Sequence, residues 1–214
     1  MRARARRFTP AALSLLLLVH CGMKPPEDRA RRPWAYLITF SCYGTKLHGR
    51  QSGSVDRNHN AWKGRYVDPN RSLRSYEHGL LKSPCGRLDV PERTLVLKVI
   101  KNVCSHEEWI AHAVHVRTNH VHLVVAAEIN PAALMGKLKA YASRALNSKA
   151  GHEAKRWARH GSLVWLWEPN QVDAAVDYVV RQQGYPMAVF ENMTRWEEHV
   201  VATRRQQPAP EPRP

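Results

Sequence analysis

The sequence predicts an α+β fold in which helices pack over one face of an antiparallel sheet. Two observations carry this prediction. Several segments alternate apolar and polar residues, which is typical of half-buried strands, and others place apolar residues at i, i+3, i+4 and i+7, which is typical of amphipathic helices. The segments follow the order β, α, β, β, α, β, α. Such an order favours helices layered on a sheet over an all-helical bundle.

The first half of the chain contains one predicted strand and one predicted helix. Residues Trp34–Cys42 are rich in aromatic and β-branched side chains, which favours a strand. The polar residues 43–88 follow, and we expect a long loop or insertion there. Asp89 and Pro91 then form a helix start signal for a helix that extends to about Glu107. Its apolar side is formed by Val96, Val99, Ile100 and Val103.

The second half predicts a hairpin and two further helices. Residues Ile110–Val116 and His120–Ala126 are the hairpin strands, joined by a turn over residues 117–119. Asn130 and Pro131 open a helix to about Asn147. A strand over Leu163–Trp167 and a helix capped by Asn170 and extending to about Gln182 complete the pattern.

Length and termini suggest one domain with irregular ends. The chain has 214 residues, which suits a single domain. We expect this domain over residues 31–195, an N-terminal extension over residues 1–30 and a disordered, proline-rich tail over residues 196–214. Four arginines before the apolar residues 11–19 resemble a short secretory signal. A translation start at Met23 or a disordered extension is the favoured interpretation, and an exported or membrane-attached protein is the alternative.

The composition is strongly basic and favours a nucleic-acid partner. There are 33 Lys plus Arg against 18 Asp plus Glu, a formal net charge of +15. Such a surplus attracts polyanions and suits the neutralisation of phosphates, although basic tails alone would also produce it. The four cysteines, at positions 21, 42, 85 and 104, show no metal-binding spacing. They are typical of free thiols in a reducing compartment, and we expect a cytoplasmic, nucleoid-associated protein.

Two histidines on the second hairpin strand are candidate metal ligands. Side chains alternate across a strand, so His120 and His122 project from one face while Val121 and Leu123 project from the other. Two imidazoles on one face can bind a single divalent ion, which would polarise a phosphate oxygen. The alternative is a merely polar sheet face, since the chain contains 12 histidines.

The helix after the hairpin carries a candidate nucleophile. Tyr141 lies at the edge of its apolar stripe, with Lys137 one turn before it and Arg144 three residues after it. Cations beside a phenol favour the phenolate and attract a phosphate. The alternative is a boundary tyrosine with an apolar ring and a solvated hydroxyl.

Taken together, these motifs resemble a known family. The stretches RTNHVHLVV, GKLKAYASRALN and HGSLVWLWEPNQVDAAVDYVVRQQG are similar to parts of the single-tyrosine HUH transposases, especially the REP-associated tyrosine transposases. The segment CYGTKLHGRQSGSVDRNHN is similar to them less specifically. The resemblance covers about residues 34–190. It implies a ferredoxin-like sheet that carries the histidines, with His120 and His122 as metal ligands, Asn119 before them and Tyr141 as the nucleophile.

The resemblance also implies an activity. It implies a transposase-type nuclease and strand transferase that acts on single-stranded or hairpin DNA through a 5′-phosphotyrosine intermediate, with Mg²⁺ or Mn²⁺ as cofactor. We expect Lys137, Lys139 and Arg144 to bind the DNA, and a homodimer is compatible with this chemistry. Family members often place an amide ligand one helical turn after the tyrosine, where this chain has Ala145. That departure supports an alternative function, a catalytically degenerate hairpin-DNA-binding protein.

Overall fold

The computed structural model describes residues 32–51 and 68–192. The predicted N-terminal extension and tail therefore lie outside the described residues, as do residues 52–67 of the predicted loop. The boundaries proposed for the domain, residues 31–195, stay a prediction at both ends.

The described residues form one five-stranded sheet in the order β4-β1-β3-β2-β5. All pairings are antiparallel. The strands are β1 (Ala35–Cys42), β2 (Ile110–Val116), β3 (His120–Ala126), β4 (Trp157–Leu166) and β5 (Ala188–Glu191). The first four strands, with the helices between them, make the β-α-β-β-α-β arrangement of a ferredoxin-like fold. The predicted α+β class and antiparallel sheet are confirmed.

Four helices accompany the sheet. They are α1 (Arg71–Gly79), α2 (Val90–His106), α3 (Pro131–Ala150) and α4 (Pro169–Arg181). Helix α2 begins with a capping box in which Asp89 and Glu92 bind each other's backbone N–H groups at 2.7 and 3.0 Å. Helix α3 is capped by Asn130, as predicted.

Four details differ from the sequence predictions. Strand β4 extends over Trp157–Leu166 rather than Leu163–Trp167. Helix α1 lies within the stretch predicted as a loop, and β5 was not predicted. Helix α4 is capped by Glu168 rather than Asn170, because Pro169 already occupies the first helical turn and the capping box joins Glu168 to Gln171. Helix α1 is polar and β5 has only four residues, so neither has a strong local apolar period.

The helices cover both faces of the sheet, not one. Helices α2 and α3 pack against the face that carries Val121, Leu123 and Val125, and form the larger core with them. Helix α4 packs against the opposite face, where Val124 and Ala126 meet three of its side chains, Val172, Ala175 and Val179. The prediction of one covered face therefore holds for the ferredoxin-like unit and is wrong for α4. This helix follows the unit in sequence and covers the face that the unit itself leaves open.

Candidate active site

The histidine pair lies on the face of the sheet that α4 covers. On β3, His120 and His122 alternate with Val121 and Leu123, whose side chains are fully buried against α2 and α3. The two imidazole rings therefore project together, with their centroids 4.7 Å apart. The predicted placement of both histidines on one face of a strand is what the structure shows.

Each imidazole is oriented by a neighbouring side chain through its Nδ1 atom. Thr39 Oγ1 on the adjacent strand β1 lies 2.9 Å from His122 Nδ1. Asn119 Oδ1 lies 2.7 Å from His120 Nδ1, so that nitrogen carries the proton and donates it. Such outer contacts fix the tautomer and the ring plane of a metal-binding histidine.

The Nε2 atom of His122 is a buried polar atom of the site without a hydrogen-bond partner among the described residues. The side chain of His122 is only 5% exposed. A buried polar atom without a partner is unfavourable by about 1–3 kcal/mol. A nitrogen left bare in this way suits a ligand that supplies the missing partner, such as a metal ion.

Both rings are neutral at physiological pH. Burial lowers the pKa of His120 to about 4, and the positive charges of Lys46 and Arg117 act in the same direction. Burial also lowers the pKa of His122 to about 2, with smaller contributions from the neighbouring rings of His120 and His115. Neutral imidazoles can bind a metal without first releasing a proton. The same cations make the surroundings attractive to a phosphate.

Tyr178 is the tyrosine that the structure brings to the histidines. It lies on α4, and its half-buried ring stands edge-on to His122 with the centroids 5.7 Å apart. Helix α4 is anchored there by His115, whose Nδ1 donates to the carbonyl of Val179 at 2.9 Å. The backbone N–H of Met187 donates to the other nitrogen of the same ring at 3.3 Å. Because both nitrogens of His115 are engaged, this residue positions α4 and is not a candidate ligand.

Tyr141 lies on the other side of the sheet. It belongs to α3, whose buried side chains pack into the core formed with Val121 and Leu123. Its ring is 39% exposed, and the Arg144 guanidinium stacks over it at 4.3 Å. Sequence analysis assigned Tyr141 as the nucleophile, but the structure separates it from His120 and His122 by the thickness of the sheet. The structure therefore does not bring the Tyr141 phenol to the histidine pair, and the role of Tyr141 as nucleophile stays a prediction.

The cations predicted to bind DNA share the α3 layer with Tyr141. Lys137 Nζ binds Glu107 Oε2 at 2.5 Å. Lys139 Nζ donates to the carbonyls of Ala158 and His160 at 3.0 and 3.2 Å, and burial lowers its pKa. These contacts hold both lysines against the protein. Among the described residues, the cations whose charges act on both histidines are instead Lys46 and Arg117, which the sequence did not single out.

A signal for Tyr178 was present in the sequence. The amide expected one helical turn after the tyrosine is missing after Tyr141, where Ala145 stands. Tyr178 has Gln182 in that position, at the C-cap of α4. Gln182 Nε2 donates a hydrogen bond to Asp177 Oδ2 at 2.6 Å. The carbonyl oxygen of the Gln182 amide is therefore the atom that could coordinate a metal. The two residues whose rings the structure brings together as candidate ligands are His120 and His122, and Gln182 is a further candidate by its spacing from Tyr178.

A search for other metal sites finds none in the described residues. No group of three or more His, Cys, Asp or Glu side chains in residues 32–51 and 68–192 is placed to hold a metal ion. Two histidines and an amide are not such a group, so this absence does not concern His120, His122 and Gln182. Across the same ranges, no helix has the length and apolar character needed to cross a membrane.

The ferredoxin-like sheet carries a histidine pair, and a tyrosine and two cations lie beside it. This combination is typical of proteins that carry out phosphate chemistry on nucleic acid. The comparison with protein families agrees, since residues 87–178 match the model described as "Transposase IS200 like". Residues 87–178 are therefore similar to the IS200-like transposases, which confirms the resemblance noted in the sequence. The family supports a DNA-processing role in transposition. No curated protein matches the chain.

Proposed function

We propose that the protein is a single-stranded DNA nuclease and strand transferase that uses Tyr178 as its nucleophile and a divalent cation held by His120 and His122. The observation that carries this proposal is the juxtaposition on one sheet face. The Tyr178 ring lies 5.7 Å from the ring of His122, whose Nε2 is buried and has no hydrogen-bond partner among the described residues. The family match supports transposition as the process in which the activity is used.

The proposed reaction is an exchange of one phosphoester bond for another. The phenolic oxygen of Tyr178 attacks a backbone phosphorus and loses its proton, the bond from phosphorus to the 3′ oxygen breaks, and that oxygen leaves as a 3′-hydroxyl after gaining a proton. The product is a 5′-phosphotyrosine. Because one phosphoester replaces another, the bond energy is retained. A 3′-hydroxyl can therefore reverse the step and join the strand without ATP.

The surrounding residues prepare this site for a phosphate. Lys46 and Arg117 place positive charge beside the histidines, which stabilises negative charge on the phosphate oxygens. When bound, Mg²⁺ or Mn²⁺ would polarise a phosphate oxygen. His115 keeps α4, and with it Tyr178, against the sheet. Thr39 and Asn119 hold the two imidazoles with Nε2 available to a ligand.

The alternative function loses its main support. A degenerate hairpin-DNA-binding protein was favoured by Ala145 at the ligand position after Tyr141. With Tyr178 as the nucleophile, that position is occupied by Gln182, whose amide oxygen is a suitable ligand.

Covalent adduct formation tests the proposal. The protein is incubated with Mn²⁺ or Mg²⁺ and a labelled, hairpin-bearing single strand, and the adduct is resolved on a denaturing gel. We expect an adduct with the unmodified protein and with Tyr141→Phe, and none with Tyr178→Phe. The two variants form a matched pair, because each removes one phenolic oxygen and leaves the ring in place.

Each other result has a definite meaning. An adduct lost in Tyr141→Phe but kept in Tyr178→Phe would return the nucleophile to α3 and overturn the assignment made from the sheet face. Hairpin binding without any adduct, for the unmodified protein and both metals, would leave the binding protein as the function.

A further inference from the structure

Away from the histidine face, helix α1 presents a basic side that the proposed chemistry does not use. Four of its residues lie at i, i+3, i+4 and i+7 and therefore share one side of the helix. They line a shallow cleft of about 350 Å³ and are Arg71, Arg74, Ser75 and His78. None of the residues of α1 is buried. These four side chains therefore do not contribute to a hydrophobic core.

Among the described residues, no carboxylate forms an ion pair with Arg71 or Arg74, the arginines on this side of α1. The only carboxylate of the helix, Glu77, is engaged by His48. The backbone N–H of His48 donates to its Oε2 at 2.7 Å, and His48 Nδ1 lies 2.5 Å from its Oε1. Two unpaired guanidinium groups one helical turn apart favour an anionic partner with more than one charge.

Helix α1 is attached to the segment that borders the candidate active site. The backbone N–H of Asn70, its N-cap, donates to the carbonyl of Gly49 at 3.0 Å. The contact between Glu77 and His48 secures the other end of the helix. Lys46, whose charge acts on both metal-site histidines, is two residues before His48, and two residues of extended chain span at most about 7 Å. The basic side of α1 therefore belongs to a helix that adjoins the histidine face.

The chemistry of the cleft fits a phosphodiester backbone better than a small ligand. An enclosed pocket for a small molecule is mostly apolar, whereas this cleft is shallow and lined by cationic and hydroxyl groups. A guanidinium group matches a phosphate with two parallel hydrogen bonds. Successive turns of α1 repeat at about 5.4 Å, so Arg71 and Arg74 can reach separate phosphates of one strand.

We propose that the side of α1 formed by Arg71 and Arg74 binds backbone phosphates of the DNA strand that the histidine face processes. The inference rests on the proposed function, because it takes DNA as the partner. It adds an interaction surface in the segment between β1 and α2, outside the residues that match the family model.

Salt-dependent binding tests the inference independently of cleavage. Fluorescence anisotropy with a labelled hairpin-bearing single strand is measured in EDTA, so that no reaction interferes. We expect Arg71→Gln with Arg74→Gln to weaken binding about 10- to 30-fold at 0.1 M salt. The slope of log K against log salt should fall by about 1.4, since each single-strand phosphate contact contributes about 0.7.

Two controls separate this effect from net charge and from folding. The double variant Lys98→Gln with Lys149→Gln removes the same charge from exposed positions on α2 and α3, and its affinity should stay within about twofold of the unmodified protein. Replacing both arginines of α1 by lysine keeps the charge, so binding should be largely retained. Thermal melting of the α1 variants should equal that of the unmodified protein, because α1 buries no residue.

The inference is overturned if the Arg71→Gln, Arg74→Gln variant and the Lys98→Gln, Lys149→Gln control bind DNA with the same affinity and the same salt slope. Failure of the unmodified protein to bind DNA would also overturn it. If the protein binds DNA and α1 matters, but no covalent adduct forms with metal, then the proposed catalytic function fails and this inference stands.

Discussion

Replacing Thr39 by valine tests how far the orientation of His122 determines metal binding. Thr39 Oγ1 lies 2.9 Å from His122 Nδ1 and is the contact that fixes this ring. Valine has nearly the same volume, so the change removes the hydrogen bond without opening a cavity. His122 Nδ1 then has no partner, and the ring is free to move its proton to Nε2, the nitrogen that the metal requires.

The expected magnitude follows from that contact. Loss of an orienting hydrogen bond to a metal ligand typically lowers metal affinity or activity by about 10- to 100-fold. We therefore expect the Mn²⁺ concentration for half-maximal adduct formation to rise by that factor in Thr39→Val, with adduct formation largely recovered at saturating metal. The free energy of unfolding should fall by about 1–3 kcal/mol, because a buried nitrogen loses its partner.

The assay combines metal titration of adduct formation with calorimetric titration of Mn²⁺ in the absence of DNA. Thr39→Ser keeps the hydroxyl and should restore the midpoint. Thr94→Val is the matched control, since its hydroxyl donates to the carbonyl of Val90 on the exposed side of α2. The reasoning is refuted if Thr39→Val binds Mn²⁺ with the affinity of the unmodified protein and Thr94→Val.

Two further predictions follow from the placement of side chains. Because one chain supplies both halves of the site, mixing equal amounts of His122→Ala and Tyr178→Phe should not restore adduct formation. Recovery toward about a quarter of the normal yield, as expected for randomly mixed dimers with one intact site each, would show that subunits share the site. Burial raises the pKa of Cys42 and Cys104 to about 12, so at pH 8 only about one thiol in 10,000 is a thiolate. The test uses a variant that keeps only these two cysteines and the less buried Cys85. In the folded protein we expect only the Cys85 thiol to react quickly with a disulfide reagent, and after unfolding all three thiols should react. Fast reaction of all three in the folded state would contradict this expectation.

The sequence predicts the ferredoxin-like unit closely because its local signals are strong. The hairpin strands begin and end at the predicted residues, since two alternating apolar runs flank a turn. The capping box at Asp89 and the cap at Asn130 mark the starts of α2 and α3. The short strand β5 and the polar helix α1 carry no such signal. Their stability comes from partners distant in sequence, such as the pairing of β5 with β2 and the contact of Glu77 with His48.

The sequence places the two candidate metal ligands together, but it does not single out Tyr178 as the tyrosine that faces them. Alternation along a strand is a local rule, so it places His120 and His122 on one face without further information. The face against which a helix packs is decided by tertiary contacts. Tyr141 is closer to the histidines in sequence and has cations nearby, but its helix packs under Val121 and Leu123. Tyr178 comes later in the chain and reaches the histidines because α4 packs on the other face.

The order of elements along the chain separates the scaffold from the reactive group. The β-α-β-β-α-β unit, with both histidines, ends at β4, and the helix that carries Tyr178 follows it. A chain truncated after β4 would therefore keep both imidazoles and lack the tyrosine that we propose as the nucleophile. We expect such a fragment to bind a phosphate without cleaving the DNA strand.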